Sequence, residues 1–145
     1  MNKKIFIACD HAGFELKKRI ISKFQKKLNF IDLGTKSSDS VDYPDYAHLL
    51  CQKIRQDNSK FGILICGSGV GMAIAANRHS HVRAALVERP GQARYARLHN
   101  GINVLCLSGN RLSLDDAWPI VKAFLFTDAD QDERHKRRRR MLNER

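Results

Sequence analysis

The sequence predicts a doubly wound α/β domain of three layers, with a mostly parallel five-stranded sheet and a projecting C-terminal helix. Three observations support this prediction: short apolar runs of strand length, amphipathic segments between them, and the regular alternation of the two along 145 residues. The length suits one domain, which we place at residues 1–145.

Five apolar runs have the length of strands, at 5–9, 30–33, 62–66, 82–87 and 104–107. Several of them are apolar without alternating with polar residues. That pattern is typical of strands buried on both faces of a parallel sheet.

Amphipathic segments separate the runs. The clearest apolar stripes at helical spacing are Leu16, Ile20, Ile21, Phe24 and Leu28, then Tyr46, Leu50 and Ile54, and then Leu114, Ala117, Trp118, Val121 and Leu125. Pro119 lies inside the last stripe, so we expect that helix to begin late or to bend.

The C-terminal segment 128–145 has a different composition. Acidic residues come first and a basic run follows, an order that complements the helix macrodipole and predicts a helix. Arg134 and Arg138 are four residues apart and would share one face of it.

The composition points to anionic partners. Lys and Arg number 26 against 15 Asp and Glu, which gives a net charge of +11. Nucleic acid, anionic lipid and a small phosphorylated molecule all fit this charge. The run 134–140 has the electrostatic footprint of a nucleic-acid module but lacks a recognised reading motif, so we rank nucleic acid well below a small phosphate.

Other classes of protein are disfavoured. No apolar run reaches the roughly 18 residues of a membrane span, and Asp10 and His11 interrupt the N-terminal apolar stretch too early for a signal peptide. The four cysteines show no CxxC spacing, so neither a disulfide framework nor a zinc site is indicated. We expect a cytoplasmic protein without membrane contact.

A glycine-rich loop follows the third predicted strand, with the sequence Cys66-Gly67-Ser68-Gly69-Val70-Gly71. The spacing GxGxG is neither the dinucleotide fingerprint nor a P-loop. Alternating glycines let backbone N–H groups converge, and a following helix adds positive potential, so the loop can bind an anion or an oxyanion. The same field favours the Cys66 thiolate, which can act as nucleophile or general base. Tight packing alone is the competing interpretation.

Other polar residues adjoin the predicted strands. Asp10 and His11 follow the first strand, where an aspartate also serves as a helix N-cap. Tyr43 ends a long polar loop and would cover a site or staple a helix. His99 and Asn100 precede the last strand, where they would supply an acid–base group or form a turn.

These motifs occur together, in one order, with Gly34-Thr35, Asp42-Tyr43-Pro44, Ala75-Ala76-Asn77-Arg78, Asn103-Val104-Leu105 and Arg134-His135-x-x-Arg138. Together they resemble the type B ribose-5-phosphate isomerase family, which also includes galactose-6-phosphate isomerase subunits. The resemblance covers nearly the whole chain.

The resemblance implies aldose–ketose isomerisation through a cis-enediolate, without metal or cofactor. By position, Cys66 is similar to the family's base, and His99, helped by Asp10, would assist opening of the sugar ring. Other family members carry a glutamate base just after the glycine loop, where this chain has Met72 and Ala73. Ribose 5-phosphate is the first substrate to expect, and a hexose 6-phosphate such as galactose or allose phosphate is the alternative.

The remaining roles come from the same resemblance. It implies that the enediolate is stabilised by Ser68 and by the amides of Gly67, Gly69, Val70 and Gly71. It implies that Asn100 binds a sugar oxygen and that Tyr43 lines the site. Phosphate would be held by His11, Arg111, Arg134 and Arg138. The family forms dimers whose active sites draw residues from both subunits, so a homodimer, or a tetramer built from it, is expected.

Overall fold

The computed structural model describes residues 3–57 and 61–144, so residues 1, 2, 58–60 and 145 of the predicted domain lie outside it. The described residues form five strands: β1 (Lys4–Cys9), β2 (Asn29–Asp32), β3 (Phe61–Cys66), β4 (Ala84–Leu86) and β5 (Val104–Ser108). They also form six α-helices: α1 (Phe14–Phe24), α2 (Tyr43–Asp57), α3 (Val70–Ala76), α4 (Pro90–Tyr95), α5 (Leu114–Phe126) and α6 (Glu133–Asn143).

The sheet has the strand order β2-β1-β3-β5-β4, and every pair is parallel. The predicted doubly wound fold is therefore confirmed, with a sheet that is wholly rather than mostly parallel. β1, β3 and β5 occupy the centre and are almost entirely buried, because helices cover both of their faces.

Two apolar cores lie on opposite faces of the sheet, which makes the three layers. One core joins α1, α4 and α5 to side chains such as Ile63 and Ile65 of β3. The other joins α2 and α3 to the alternate side chains Leu64 and Cys66. Successive residues of β3 therefore serve different cores, which explains its unbroken apolar sequence.

Because all strands are parallel, the sheet has two distinct ends. We call the end where strands finish, after Cys9, Cys66 and Ser108, the carboxyl end. The opposite end, where strands begin, is the amino end. β3 has six residues. At about 3.3 Å per residue, the two ends are roughly 16 Å apart.

Helix α5 begins at Leu114, so the expectation of a late start is wrong. Ser113 Oγ accepts the N–H of Asp116, and the Asp116 carboxylate accepts the N–H of Ser113. This capping box satisfies first-turn donors ahead of Pro119, which then lies within the helix.

The C-terminal helix α6 starts at Glu133, five residues after the predicted boundary at 128. Asp132 caps it by accepting the N–H groups of Arg134 and His135, and these bonds hold the pKa of Asp132 below its ordinary value. Across residues 3–57 and 61–144, no helix combines the length and apolar character that crossing a membrane requires.

Candidate functional site

The glycine loop holds the Cys66 side chain at the carboxyl end of β3. The N–H of Gly69 donates to Cys66 Sγ over 3.1 Å. Gly69 reaches this position with a φ of +79°, a left-handed conformation that glycine adopts without strain. The backbone of the loop therefore supplies a hydrogen-bond donor to the Cys66 sulfur.

Close packing explains the other glycines of the loop. A Cβ on Gly71 would lie 2.5 Å from Cζ of Tyr43, so Gly71 lets that ring approach the loop. Tyr43 opens helix α2 and is 39% exposed, so it flanks the loop and faces solvent. A Cβ on Gly67 would lie 3.0 Å from Nδ2 of Asn110, which borders the loop from the β5 side. Close approach of neighbouring side chains therefore accounts for glycine at both positions.

The neighbouring strand β5 fixes the loop further. Ser108 Oγ donates to the carbonyl of Gly67 over 2.6 Å, and the N–H of Gly109 donates to the carbonyl of Cys66 over 2.8 Å. Ser68 Oγ accepts the N–H of Val70 over 3.2 Å, which leaves its hydroxyl proton to donate elsewhere.

The other three cysteines differ from Cys66. Burial raises the pKa of Cys9 to about 11 and that of Cys51 to about 12, and it also raises the pKa of Cys106. These thiols stay protonated near neutral pH and serve as small core residues. Cys66 instead ends β3 at the glycine loop, where its sulfur accepts the N–H of Gly69.

Asp10 and His11 lie beside the glycine loop, at the end of β1. Asp10 Oδ1 accepts the N–H groups of Ala12 and Gly13, so the N-cap interpretation of this aspartate holds. Asp10 follows the last residue of β1 and so lies at the same end of the sheet as Cys66. His11 Nδ1 accepts the N–H of Val41 over 3.2 Å, which places the proton of the neutral ring on Nε2.

Arg111 also lies at the carboxyl end, just beyond β5. Its Nη1 donates to Oε1 of Glu88 over 2.9 Å, and its side chain is 73% exposed. In this arrangement the charge of Arg111 is paired with a carboxylate of its own chain.

His99 and Asn100 lie at the opposite, amino end of the sheet. They belong to a π-helical turn, Ala96–Asn100, that continues α4. The Arg97 guanidinium lies 5.0 Å from the ring centre of Phe61, the first residue of β3. One chain therefore separates His99 from Cys66 by roughly the length of a strand.

Helix α6 packs against this turn with one face. Arg139 Nη1 donates to the carbonyl of His99 over 3.2 Å, and the His135 ring stacks on the His99 ring with centroids 4.4 Å apart. Arg134 and Arg138 are exposed, and the pairing described for Arg134 is a loose 3.9 Å contact with Asp132. This divides the basic run into cations that hold the chain together and cations that face outward.

The predicted site residues thus form two clusters. The carboxyl-end cluster contains Asp10, His11, Tyr43, Cys66, Gly67, Ser68, Gly69, Val70, Gly71 and Arg111. The amino-end cluster contains His99, Asn100, Arg134 and Arg138. Within a single chain the two clusters do not meet, so the predicted assistance of His99 by Asp10 cannot occur between residues of the same chain.

Sequence reasoning missed Asp130, His135 and Arg139 as individual residues of the amino-end cluster. His135 Nδ1 lies 2.6 Å from Asp130 Oδ2, and Arg139 Nη2 donates to the Asp130 carbonyl over 2.7 Å. In the sequence, the two basic residues are hidden in a run of cations and Asp130 lies in a row of acids. No spacing rule distinguishes them from their neighbours.

Comparison with known proteins identifies the family. A family model described as Ribose/Galactose Isomerase matches residues 5–142. Ribose-5-phosphate isomerase B of Escherichia coli is 41% identical over 124 residues, covering 85% of this chain and 83% of that protein. The crystal structure of a ribose 5-phosphate isomerase from Thermotoga maritima matches with a TM-score of 0.95 and 46% identity over 100% of both chains. The type B enzyme of Trypanosoma brucei matches with a TM-score of 0.93 and 34% identity, over 99% of this chain and 98% of that one.

The fold and these matches define the chain as a sugar isomerase. It belongs to the ribose/galactose isomerase family, and the relatives compared above are ribose-5-phosphate isomerases.

Proposed function

We propose that this protein interconverts ribose 5-phosphate and ribulose 5-phosphate through a cis-enediolate, as a single cytoplasmic domain that works in a homodimer. The observation that carries the proposal is the Gly69 N–H on Cys66 Sγ, inside a loop of glycine amides at the carboxyl end of the sheet. A thiolate held next to backbone donors combines the base and the oxyanion stabiliser that enolisation needs.

The first step opens the furanose ring. His99 takes the proton from the O1 hydroxyl and donates it to the ring oxygen O4, so that the C1–O4 bond breaks and an aldehyde forms at C1. An imidazole suits this exchange because it gains and loses a proton near neutral pH. Asn100 holds a sugar hydroxyl beside it.

The second step moves hydrogen between two carbons. The Cys66 thiolate removes the proton from C2, and the electron pair forms the C1–C2 double bond of the enediolate. The amides of the glycine loop and the Ser68 hydroxyl donate to its oxygens. The Cys66 thiol then returns a proton to C1 while the O2 proton passes to the O1 oxyanion, which yields the ketone at C2 and a hydroxyl at C1.

Two exposed arginines of α6, Arg134 and Arg138, would bind the phosphate group of the substrate. Arg134 and Arg138 lie one turn apart on α6, and a pair of guanidinium groups suits the oxygens of one phosphate. His11 Nε2–H adds a donor from the carboxyl-end cluster, and Arg111 joins it on release from Glu88.

The homodimer follows from the separation of the two clusters. In our proposal the amino-end cluster of one subunit completes the carboxyl-end cluster of its partner. Exposed apolar side chains support a partner surface: Val70 and Ile74 of α3 are 48% and 64% exposed, and Met141 and Leu142 of α6 are 61% and 58% exposed.

The test of the proposed function is a comparison of substrates. We expect purified protein to form ribulose 5-phosphate from ribose 5-phosphate in the presence of a chelator, with a kcat/KM above those for allose 6-phosphate and galactose 6-phosphate. A higher kcat/KM for either hexose phosphate would assign the alternative substrate class. Absence of turnover with all three sugars would refute the isomerase proposal.

A further inference from the structure

The mechanism above assigns no part to three residues around His99: His135 contacts the His99 ring, Asp130 bonds His135, and Arg139 bonds the His99 carbonyl. The His135 ring stacks on the His99 ring at 4.4 Å between centroids and 29° between planes. His135 Nδ1 lies 2.6 Å from Asp130 Oδ2, and their side chains are 14% and 27% exposed. Asp130 therefore fixes the rotation of the ring on which His99 rests.

Arg139 bonds the backbone of the same group of residues. Its Nη1 reaches the carbonyls of Leu98 and His99, over 3.4 and 3.2 Å, and its Nη2 reaches the carbonyl of Asp130 over 2.7 Å. The N–H of Asp130 donates to the carbonyl of Leu98 over 3.0 Å. Backbone and side chain of His99 are thus both held by the segment 130–139.

We propose that His135, oriented by Asp130 and supported by Arg139, is a positioning residue that holds the His99 imidazole in the plane required for ring opening. The inference rests on the proposed role of His99 as the ring-opening acid–base. A proton donor must lie within hydrogen-bond reach of one oxygen of the sugar and point toward it. The stacked His135 ring restricts the rotamers that the His99 side chain adopts, and so fixes the direction of its ring nitrogens.

The arrangement also explains why the basic run is so dense. Arg134 and Arg138 face outward from α6, whereas His135 and Arg139 face the domain one residue further along. The helix that would present phosphate ligands to a partner is thereby joined rigidly to the turn that would present His99. A single unit then delivers the phosphate ligands and the ring-opening group with a fixed spacing.

A purely structural role of His135, in which it only attaches α6 to the domain, predicts a different result. If His135 only attached α6 to the domain, its loss would weaken every step that uses α6, including phosphate binding. A positioning role affects ring opening and leaves enolisation intact, because Cys66 is held by its own glycine loop and, among the residues that the structure describes, makes no contact that depends on His135.

The experiment separates these two steps. Ribulose 5-phosphate is acyclic, so exchange of its C1 hydrogen with solvent deuterium needs Cys66 but no ring chemistry, whereas conversion to cyclic ribose 5-phosphate needs both. In His135→Ala we expect the ratio of exchange to conversion to rise about tenfold, with KM for ribulose 5-phosphate within about twofold of wild type. His135→Phe keeps a stacked ring and is expected to bring the ratio back to within about threefold of wild type.

Lys136→Ala is the matched control. Lys136 is the next residue of α6, and its Nζ bonds Glu133 of the same helix over 3.2 Å. We expect the control to leave the ratio unchanged. A ratio in His135→Ala equal to that of wild type, whether both rates fall together or neither falls, would overturn the positioning role.

A spectroscopic arm keeps this inference separate from the proposed function. If wild-type protein turned over no sugar phosphate, the proposed function would fail, and the inference would be decided by the imidazole NMR signals of His99. We expect the shifts of one fixed ring in wild type and the averaged shifts of a solvent-exposed imidazole in His135→Ala. Identical His99 signals in the two proteins would contradict the inference.

Discussion

The two ends of the sheet hold their functional side chains by different means. At the carboxyl end, Cys66 is fixed by backbone: the Gly69 N–H on its sulfur and the Gly109 N–H on its carbonyl. At the amino end, His99 is fixed mainly by side chains, those of His135 and Arg139. The donor to the Cys66 sulfur comes from Gly69 in the same loop, whereas Arg139, which bonds the His99 carbonyl, lies 40 positions from His99. A site that uses both ends requires a second chain.

The largest expected effect is the loss of kcat when the proposed base at the carboxyl end, Cys66, is replaced. Cys66→Ala should lower kcat for ribose 5-phosphate by about 10³-fold or more, because no other side chain in the loop can accept the C2 proton. Stopped assays of sugar conversion measure it, with thermal unfolding as the control for folding. If Cys66→Ala kept more than a tenth of wild-type turnover, Cys66 would not be the base.

The next largest effect is expected for Gly69→Ala, which tests whether stability and kcat depend on the backbone conformation of the glycine loop. Gly69→Ala must adopt a φ of +79° and place a Cβ 3.1 Å from the backbone of Leu107 and 2.5 Å from Leu86 Cδ1. We expect a loss of about 2 kcal/mol or more in the free energy of unfolding, together with a lower kcat, since the donor to Cys66 shifts.

Gly91→Ala serves as the matched control for that substitution. Gly91 lies in α4, and an added Cβ meets nothing within 4 Å. It should raise the free energy of unfolding by about 0.5–1 kcal/mol and leave kcat unchanged. Equal denaturant midpoints for the two variants would show that the Gly69 conformation is not required.

The smallest expected effect concerns His79, a residue to which the proposed mechanism assigns no part. Burial, and then the neighbouring His48 and His81, lower the pKa of His79 below its ordinary value. His48 Nδ1 and His79 Nε2 are 2.7 Å apart. Because the unfolded chain takes up a proton near pH 6.5 that the folded state resists, stability is retained above that pH and declines as the pH falls below it.

His79→Asn should therefore flatten the pH dependence of the melting temperature between about pH 7.5 and 5.5 without changing kcat at neutral pH. Melting curves at several pH values, with wild type alongside, measure the difference. An unchanged pH slope in the variant would assign the effect to other groups.

Much of the fold and of the carboxyl end could be predicted from the sequence. Buried parallel strands are read directly as apolar runs, and β3 departs from its prediction by one residue. β4 is shorter than predicted, Ala84–Leu86, because the N–H of Arg83 bonds Asn103 Oδ1 outside the ladder. The Cys66 loop was predictable because its chemistry lies in six consecutive residues.

The amino-end cluster could not be predicted in the same way. Asp130 and His135 lie more than 30 positions from His99 in the sequence, Asp130 among other acidic residues and His135 near the start of a run of basic ones. The position of His99 opposite Cys66 depends on strand order and direction, which periodicity does not give. Contacts that depend on topology emerge only when the sheet is assembled.

The most direct test of the central claim is subunit complementation between two inactive variants. The Cys66→Ala and His99→Ala proteins are unfolded together, refolded as a mixture and assayed with ribose 5-phosphate. If each site takes Cys66 from one chain and His99 from the other, random pairing restores up to about a quarter of wild-type activity. Activity no greater than the sum of the separate variants, in mixtures shown to contain hybrid dimers, would contradict the shared site.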